Sequence, residues 1–216
     1  MRPIYLASLT PYEGVCHLPV ITVRFLHPLI DFSQYMGIIF TSKQGIEAFR
    51  TYGDTYRLLQ CLCVSDATAA HARKVGFEQV FTAFGNGDSI PDWFEQYRPG
   101  GKWLYMRPTQ VATKWIYTAH SLGYQIDEAI VYETVCNPEV VSTDVKEDGI
   151  LIFTSPSSVR CYMKLFPLLS TQTVIVLGET TRRSLPEWTD IRVCETPHIS
   201  EAILLARQIA SEENIS

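Results

Sequence analysis

The 216-residue chain is 46% hydrophobic and 19% charged, with 11 Tyr and 10 Phe, enough apolar material for one or two ordinary cores and too much for a disordered chain. Its 18 Lys and Arg against 23 Asp and Glu leave a net charge of −5 and a pI of about 5.5, which removes the basic face expected of a nucleic-acid binder. No run approaches the roughly 20 apolar residues that span a bilayer, and Met1-Arg2-Pro3-Ile4-Tyr5-Leu6 lacks the apolar core and cleavage site of a secretory leader. Neither nucleic acid nor a membrane is therefore an expected partner, and the expected compartment is the cytoplasm.

Residues 4–7 read as an isolated N-terminal strand and 21–25 as an extended segment. Residues 37–40 form an apolar strand, Ser42 is placed to cap a helix, and 44–52 is that short amphipathic helix. A strand over 61–64 and a helix over 66–75 follow, with Gly76 where a left-handed C-terminal residue is wanted. Residues 102–106 read as a strand, 111–122 as a helix and 129–134 as a second extended segment. After the strand ending at Phe153, Ser155 takes the N-cap position and Pro156 the first helical position, where its missing N–H costs nothing. The six cysteines include no CxxC pair, and a reducing cytosol keeps them as thiols, so no disulfide is expected. Cys61 and Cys63 alternate with Leu62 and Val64, as in a buried strand rather than a metal pair. The five histidines are scattered, and no metal site is expected.

These elements repeat. The run from Gly37 to Ile46 matches that from Ile150 to Val159, with Thr41 and Thr154 separated by 113 residues. Cys63-Val64-Ser65-Asp66-Ala67-Thr68 matches Val176-Leu177-Gly178-Glu179-Thr180-Thr181 in the same register, as does Val80 with Val193. Strands alternating with helices in both copies predict an α/β fold with mainly parallel sheets. If the N-terminal strand joins the second copy, residues 1–21 and 135–216 form one domain and 27–128 a second domain inserted in it. Segments 22–26 and 129–134 would then link the two as a two-stranded β-ribbon, with a ligand expected in the cleft between them, at the carboxyl ends of the strands.

The turns at those carboxyl ends carry small hydroxyl side chains: Thr41, Ser42, Ser65 and Thr68 in the first copy, and Thr154, Ser155, Ser157, Ser158, Thr180 and Thr181 in the second. Helix N-termini present unpaired N–H groups and positive dipole ends, which suits a ligand bearing many carboxylates. Such residues also cap helices in proteins that bind nothing, and for any one of them capping is the commoner role. Arg107, directly after a strand, is placed to meet an anion or simply to face solvent. Gly85-Asn86-Gly87 falls short of GxGxxG, neither GxSxG nor a P-loop occurs, and Arg182-Arg183 reads as a solvated helix face.

In order and spacing, Phe40-Thr41-Ser42, Ala67-Thr68-Ala69, Tyr132-Glu133-Thr134, Phe153-Thr154-Ser155-Pro156-Ser157 and Gly178-Glu179-Thr180-Thr181 resemble the uroporphyrinogen-III synthase family. Gly85-Asn86 before a helix and Thr196-Pro197 before the last helix are similar too, so the resemblance covers essentially the whole chain. It implies two flavodoxin-like domains, the second inserted in the first and joined to it by a β-ladder, working as a monomer without metal or organic cofactor. The implied reaction takes hydroxymethylbilane, a linear tetrapyrrole, to uroporphyrinogen III with loss of water and inversion of one ring through a spiro intermediate, in heme biosynthesis. The hydroxyl turns are implied carboxylate binders, and Tyr132 either assists departure of the substrate hydroxyl or packs at the domain junction. Two departures stand out: Ala7-Ser8-Leu9-Thr10 lacks the basic residue common after the first strand, and Ser65 replaces a usual glycine. The rival reading is a non-catalytic two-domain sensor of an anionic metabolite, which would need the hydroxyl turns but not Tyr132.

Overall fold

The computed structural model describes residues 2–53, 58–85, 87–111, 113–140, 145–187 and 190–212. In chain order the elements are β1 (Ile4–Ala7), β2 (Cys16–Leu18), β3 (Ile21–Phe25), β4 (Gly37–Phe40), α1 (Lys43–Arg50), β5 (Gln60–Cys63), α2 (Asp66–Lys74), β6 (Val80–Thr82), α3 (Ile90–Tyr97), β7 (Trp103–Pro108), α4 (Trp115–Ser121) and β8 (Ile126–Cys136). There follow β9 (Ile150–Phe153), α5 (Pro156–Leu165), β10 (Thr173–Val176), α6 (Glu179–Arg182), β11 (Asp190–Val193) and α7 (Ile199–Glu212). Contacts divide the chain into two units, Met1–Thr22 with Thr134–Ser216, and Val23–Glu133.

In the second unit, alternation along each strand sends side chains to two separate cores. Ile38 and Phe40 of β4, Cys61 and Cys63 of β5 and Leu104 and Met106 of β7 pack with Ile46 and Phe49 of α1 and Ala69 and Ala72 of α2. Ile39, Leu62, Trp103 and Tyr105 face the other way, against Trp93 and Phe94 of α3 and Trp115 and Ile116 of α4. A sheet covered on both faces explains why these strands read as unbroken apolar runs. The first unit repeats the plan. Leu151 and Phe153 of β9 with Val174 and Val176 of β10 meet α5 through Val159, Cys161 and Tyr162. Leu6, Ile150, Ile152 and Ile175 meet α7 through Ala202, Ile203 and Ala206.

The strand orders are β11-β10-β9-β1-β2 and β3-β8-β7-β4-β5-β6. Numbered along the chain within each unit, the first sheet runs second, first, third, fourth, fifth (β2-β1-β9-β10-β11), the flavodoxin order, and the second, leaving out β3, runs third, second, first, fourth, fifth (β6-β5-β4-β7-β8), the order of dinucleotide-binding sheets. The two orders differ by a circular shift: β1 and β2 precede the repeated strands in the first unit, where β7 and β8 follow them in the second. The repeat itself holds in detail: Gly37 faces Gln60 as Ile150 faces Thr173. The third sequence match is out of step, since Cys63 faces Thr82 while Val176 faces Val193. Val193 thus corresponds to Thr82, not Val80.

Local signals place most element ends. Ser42, Ser65 and Ser155 each take the N-cap position and accept a backbone N–H, with Pro156 in the first turn after Ser155. Gly76 adopts φ +105°. The helix expected over 111–122 starts only at Trp115, where Lys114 gives no side-chain cap, and the segment expected over 129–134 is the longer β8. Gly37 faces Trp103 across the ladder, and a Cβ added there falls 2.5 Å from the fully buried indole ring. Gly37→Ala is expected to cost about 1–3 kcal/mol by overpacking, read as a lower denaturation midpoint at unchanged m value; an unshifted midpoint would mean the ring yields freely.

The expectation that all cysteines remain thiols is overturned: Cys136 and Cys161 are disulfide-bonded, with Cα atoms 5.1 Å apart. The end of β8 lies on the face of α5 that carries Cys161, a juxtaposition 25 residues of separation conceal.

Candidate functional site

In the second unit the chemistry gathers where β4 ends. Thr41 Oγ1 lies 3.0 Å from Tyr105 Oη, and Ser42 Oγ lies 2.8 Å from Tyr132 Oη. Adjacent residues of one turn thus hold two phenols from neighbouring strands. Tyr132 reaches Ser42 through a break in the ladder: Arg107 pairs with Ile130 but Pro108 with Tyr132, leaving Val131 as an extra residue in β8. Bulges re-aim side chains in this way, and Pro108, without an N–H, stands where the regular ladder fails. Val131 and Tyr132 consequently pack into the same core, both buried.

Burial raises the pKa of Tyr132 above that of a free tyrosine; the Ser42 hydrogen bond works against this and the nearby Tyr105 adds to it. Burial likewise raises Tyr105, opposed by its hydrogen bond to Thr41 and by the Arg107 charge. Both phenols therefore hold their protons through the range in which a tyrosine in water begins to lose them.

The other sequence candidates in this unit are tied inward. Ser65 Oγ caps α2 and lies 3.1 Å from Thr68 Oγ1, with Thr68 buried. Arg107 sits 2.6 Å from Glu128 through Nε, without the alignment of a hydrogen bond, and Nη1 donates to the Pro108 and Thr109 carbonyls. Asn86 lies outside the described residues. A separate hollow of about 880 Å³ beside Tyr35, His120 and Asp127 contains none of the hydroxyl turns.

In the first unit Thr154, Ser155 and Ser157 line one concavity of about 340 Å³ together with Ser8, Leu9, Thr10, Ile21, Thr134 and Ile199. Thr154 Oγ1 donates to the Ala7 carbonyl at 3.1 Å, and Ser155 Oγ lies 2.9 Å from Ser157 Oγ. Ser158 is fully buried and completes a reciprocal cap with Ser155, so it serves the helix. Thr180 is exposed and Thr181 buried within the four-residue α6. Arg182 is exposed and pairs with Glu179, as a solvated face would. Sequence reasoning did not select Ser8, Thr10, Thr134 or Tyr105. The parallel pairing of β1 with β9 carries the Ser8–Thr10 turn to the same sheet edge as Thr154, and the family resemblance that singled out Tyr132 takes in Thr134 as well. Among the described residues no group of three or more His, Cys, Asp or Glu could hold a metal ion, and no helix is long and apolar enough to cross a membrane.

The chain matches the family model described as Uroporphyrinogen-III synthase HemD over residues 13–203. It is similar to the crystal structure of uroporphyrinogen-III synthetase from Helicobacter pylori 26695, at 19% identity and a TM-score of 0.77, over 97% of this chain and 100% of that one. It is also similar to a mutant uroporphyrinogen III synthase from the extremely thermophilic bacterium Thermus thermophilus, at 13% identity and a TM-score of 0.55, over 98% of this chain and 100% of the other. Among curated proteins no relative matches. The structural likeness at such identities speaks for the α/β fold, and the family match speaks for kinship along most of the sequence. The chain belongs to the uroporphyrinogen-III synthase family of heme-biosynthesis enzymes.

Proposed function

We propose that the chain is a hydro-lyase that cyclises hydroxymethylbilane to uroporphyrinogen III, with Tyr132 assisting departure of the substrate hydroxyl. The family match over residues 13–203 carries this reading. The architecture we assign to it is two α/β domains, the second an insertion at residues 27–128, with β3 and β8 as the connecting strands. Loss of the hydroxyl as water leaves a cation stabilised by the pyrrole nitrogen, so bond breaking needs only modest help from a hydrogen-bond donor, and a buried phenol that stays protonated suits that task. The proton given to the leaving oxygen is balanced by one released from the pyrrole carbon when the macrocycle closes.

The harder task is to favour attack at the substituted pyrrole carbon, through a spiro intermediate, over direct closure to the unrotated isomer. Catalysis by restraint fits that need. The Thr154, Ser155 and Ser157 concavity and the N-terminal turns of α1, α2 and α5 are assigned to the acetate and propionate groups, largely through backbone N–H donors. Incubation of purified protein with freshly generated hydroxymethylbilane, followed by oxidation and chromatographic separation of the isomers, tests the function. Type III porphyrin above a protein-free control is expected; only type I, where a known synthase succeeds, would leave the sensor reading in its place.

A further inference from the structure

We infer that Ser42 is a positioning residue for Tyr132: its hydroxyl hydrogen is given to the phenolic oxygen, which leaves the phenolic proton free for the substrate. The inference rests on the proposed role of Tyr132 and adds the residue that orients it. Among the described residues Ser42 Oγ has two hydrogen-bond partners, the Gln44 N–H at 3.1 Å and Tyr132 Oη at 2.8 Å. The amide can only donate. A serine hydroxyl carries one hydrogen, so Tyr132 Oη is the acceptor available to it. With the bond in the opposite sense, the hydrogen of the part-exposed Ser42 would turn to solvent and the Tyr132 proton would be spent on Ser42. Capping therefore favours this polarity of the pair: the N-terminus of α1 engages the Ser42 oxygen as acceptor, and Ser42 in turn leaves the phenolic proton pointing away from itself. The bulge at Val131 brings the two within reach.

Ser42→Asp separates this role from capping, because aspartate caps a helix as well as serine does but has no hydrogen to give. It would accept the Tyr132 proton and turn it inward. The variant is expected to keep the wild-type melting temperature and lose kcat on the order of tenfold, a part of the roughly 100-fold or more that a positioned acid contributes. Ser42→Thr, which retains both cap and hydrogen, is expected to stay within about threefold of wild type on the same scale. In a Tyr132→Phe background Ser42→Asp should have no further effect on kcat, whereas simple repulsion of substrate carboxylates would persist there and raise KM. Full kcat in Ser42→Asp, an equal loss in Ser42→Thr, or an undiminished loss in the Tyr132→Phe background would each overturn the inference. Wild-type kcat in Tyr132→Phe alone would instead remove the acid role of Tyr132, an outcome distinct from the other three.

Discussion

Tyr132→Phe is expected to lower kcat about 100-fold, the low end of what a positioned acid contributes, while KM moves little and the product remains the type III isomer. The substitution deletes one oxygen and keeps the ring that fills the core beside Val131, so the loss would belong to the hydroxyl and not to packing. Retention of isomer specificity follows from the division of labour: the phenol assists departure of water, while the carboxylate-binding turns choose the carbon that is attacked. Thr41→Ala should be far milder, because Thr41 contacts Tyr105 and much of the turn's binding capacity is backbone. The sign of the pH dependence is fixed by the raised pKa of Tyr132. A phenol whose pKa is raised in the folded protein is fully protonated below the ordinary tyrosine value and loses its proton only as pH climbs past the folded value. The kcat profile should therefore carry no alkaline limb from this group up to about pH 10. A limb centred well below that, absent from Tyr132→Phe, or full activity in Tyr132→Phe, would rule out the assignment.

What could be read in advance was whatever the chain writes locally. Caps at Ser42, Ser65 and Ser155 are short-range events, and strands buried on both faces announce themselves as apolar runs, so the α/β class and the duplication were legible. Strand order was not, because nothing local states that β1 and β7 flank β9 and β4. The site divides the same way. Thr154, Ser155 and Ser157 could be picked out as candidates because a turn is local, whereas Ser8 and Thr10 come to their edge only through the long-range pairing of β1 with β9. The Tyr132–Ser42 contact depends on one extra residue in β8, and an apolar Val131 between Ile130 and Tyr132 leaves no mark of a bulge in the sequence. Several candidates are tied into the fold: Ser158 and Thr68 are buried, and Arg107 is bonded to its neighbours.

The bond between Cys136 and Cys161 was missed because its logic is tertiary, and its removal should be the largest single loss of stability. Titration of the unfolded, unreduced chain is expected to find four free thiols, those of Cys16, Cys61, Cys63 and Cys194; six would show that the bond does not form. Closing a loop between cysteines 25 residues apart restricts the unfolded chain by about 3.5 kcal/mol in the loop-entropy account. Cys136→Ser, or reductant added to the wild type, should therefore lower the melting temperature by about 10 °C for a chain of this size. Reductant should leave Cys136→Ser itself unchanged, which separates loss of the bond from any general effect of the reagent. The cost has a local address. Cys161 is buried on α5, whose N-terminal turn holds Ser155 and Ser157, and Cys136 ends the strand that carries Tyr132. Without the bond, burial would still hold Cys161 in the core, so the α5 turn should persist at a lower margin of stability.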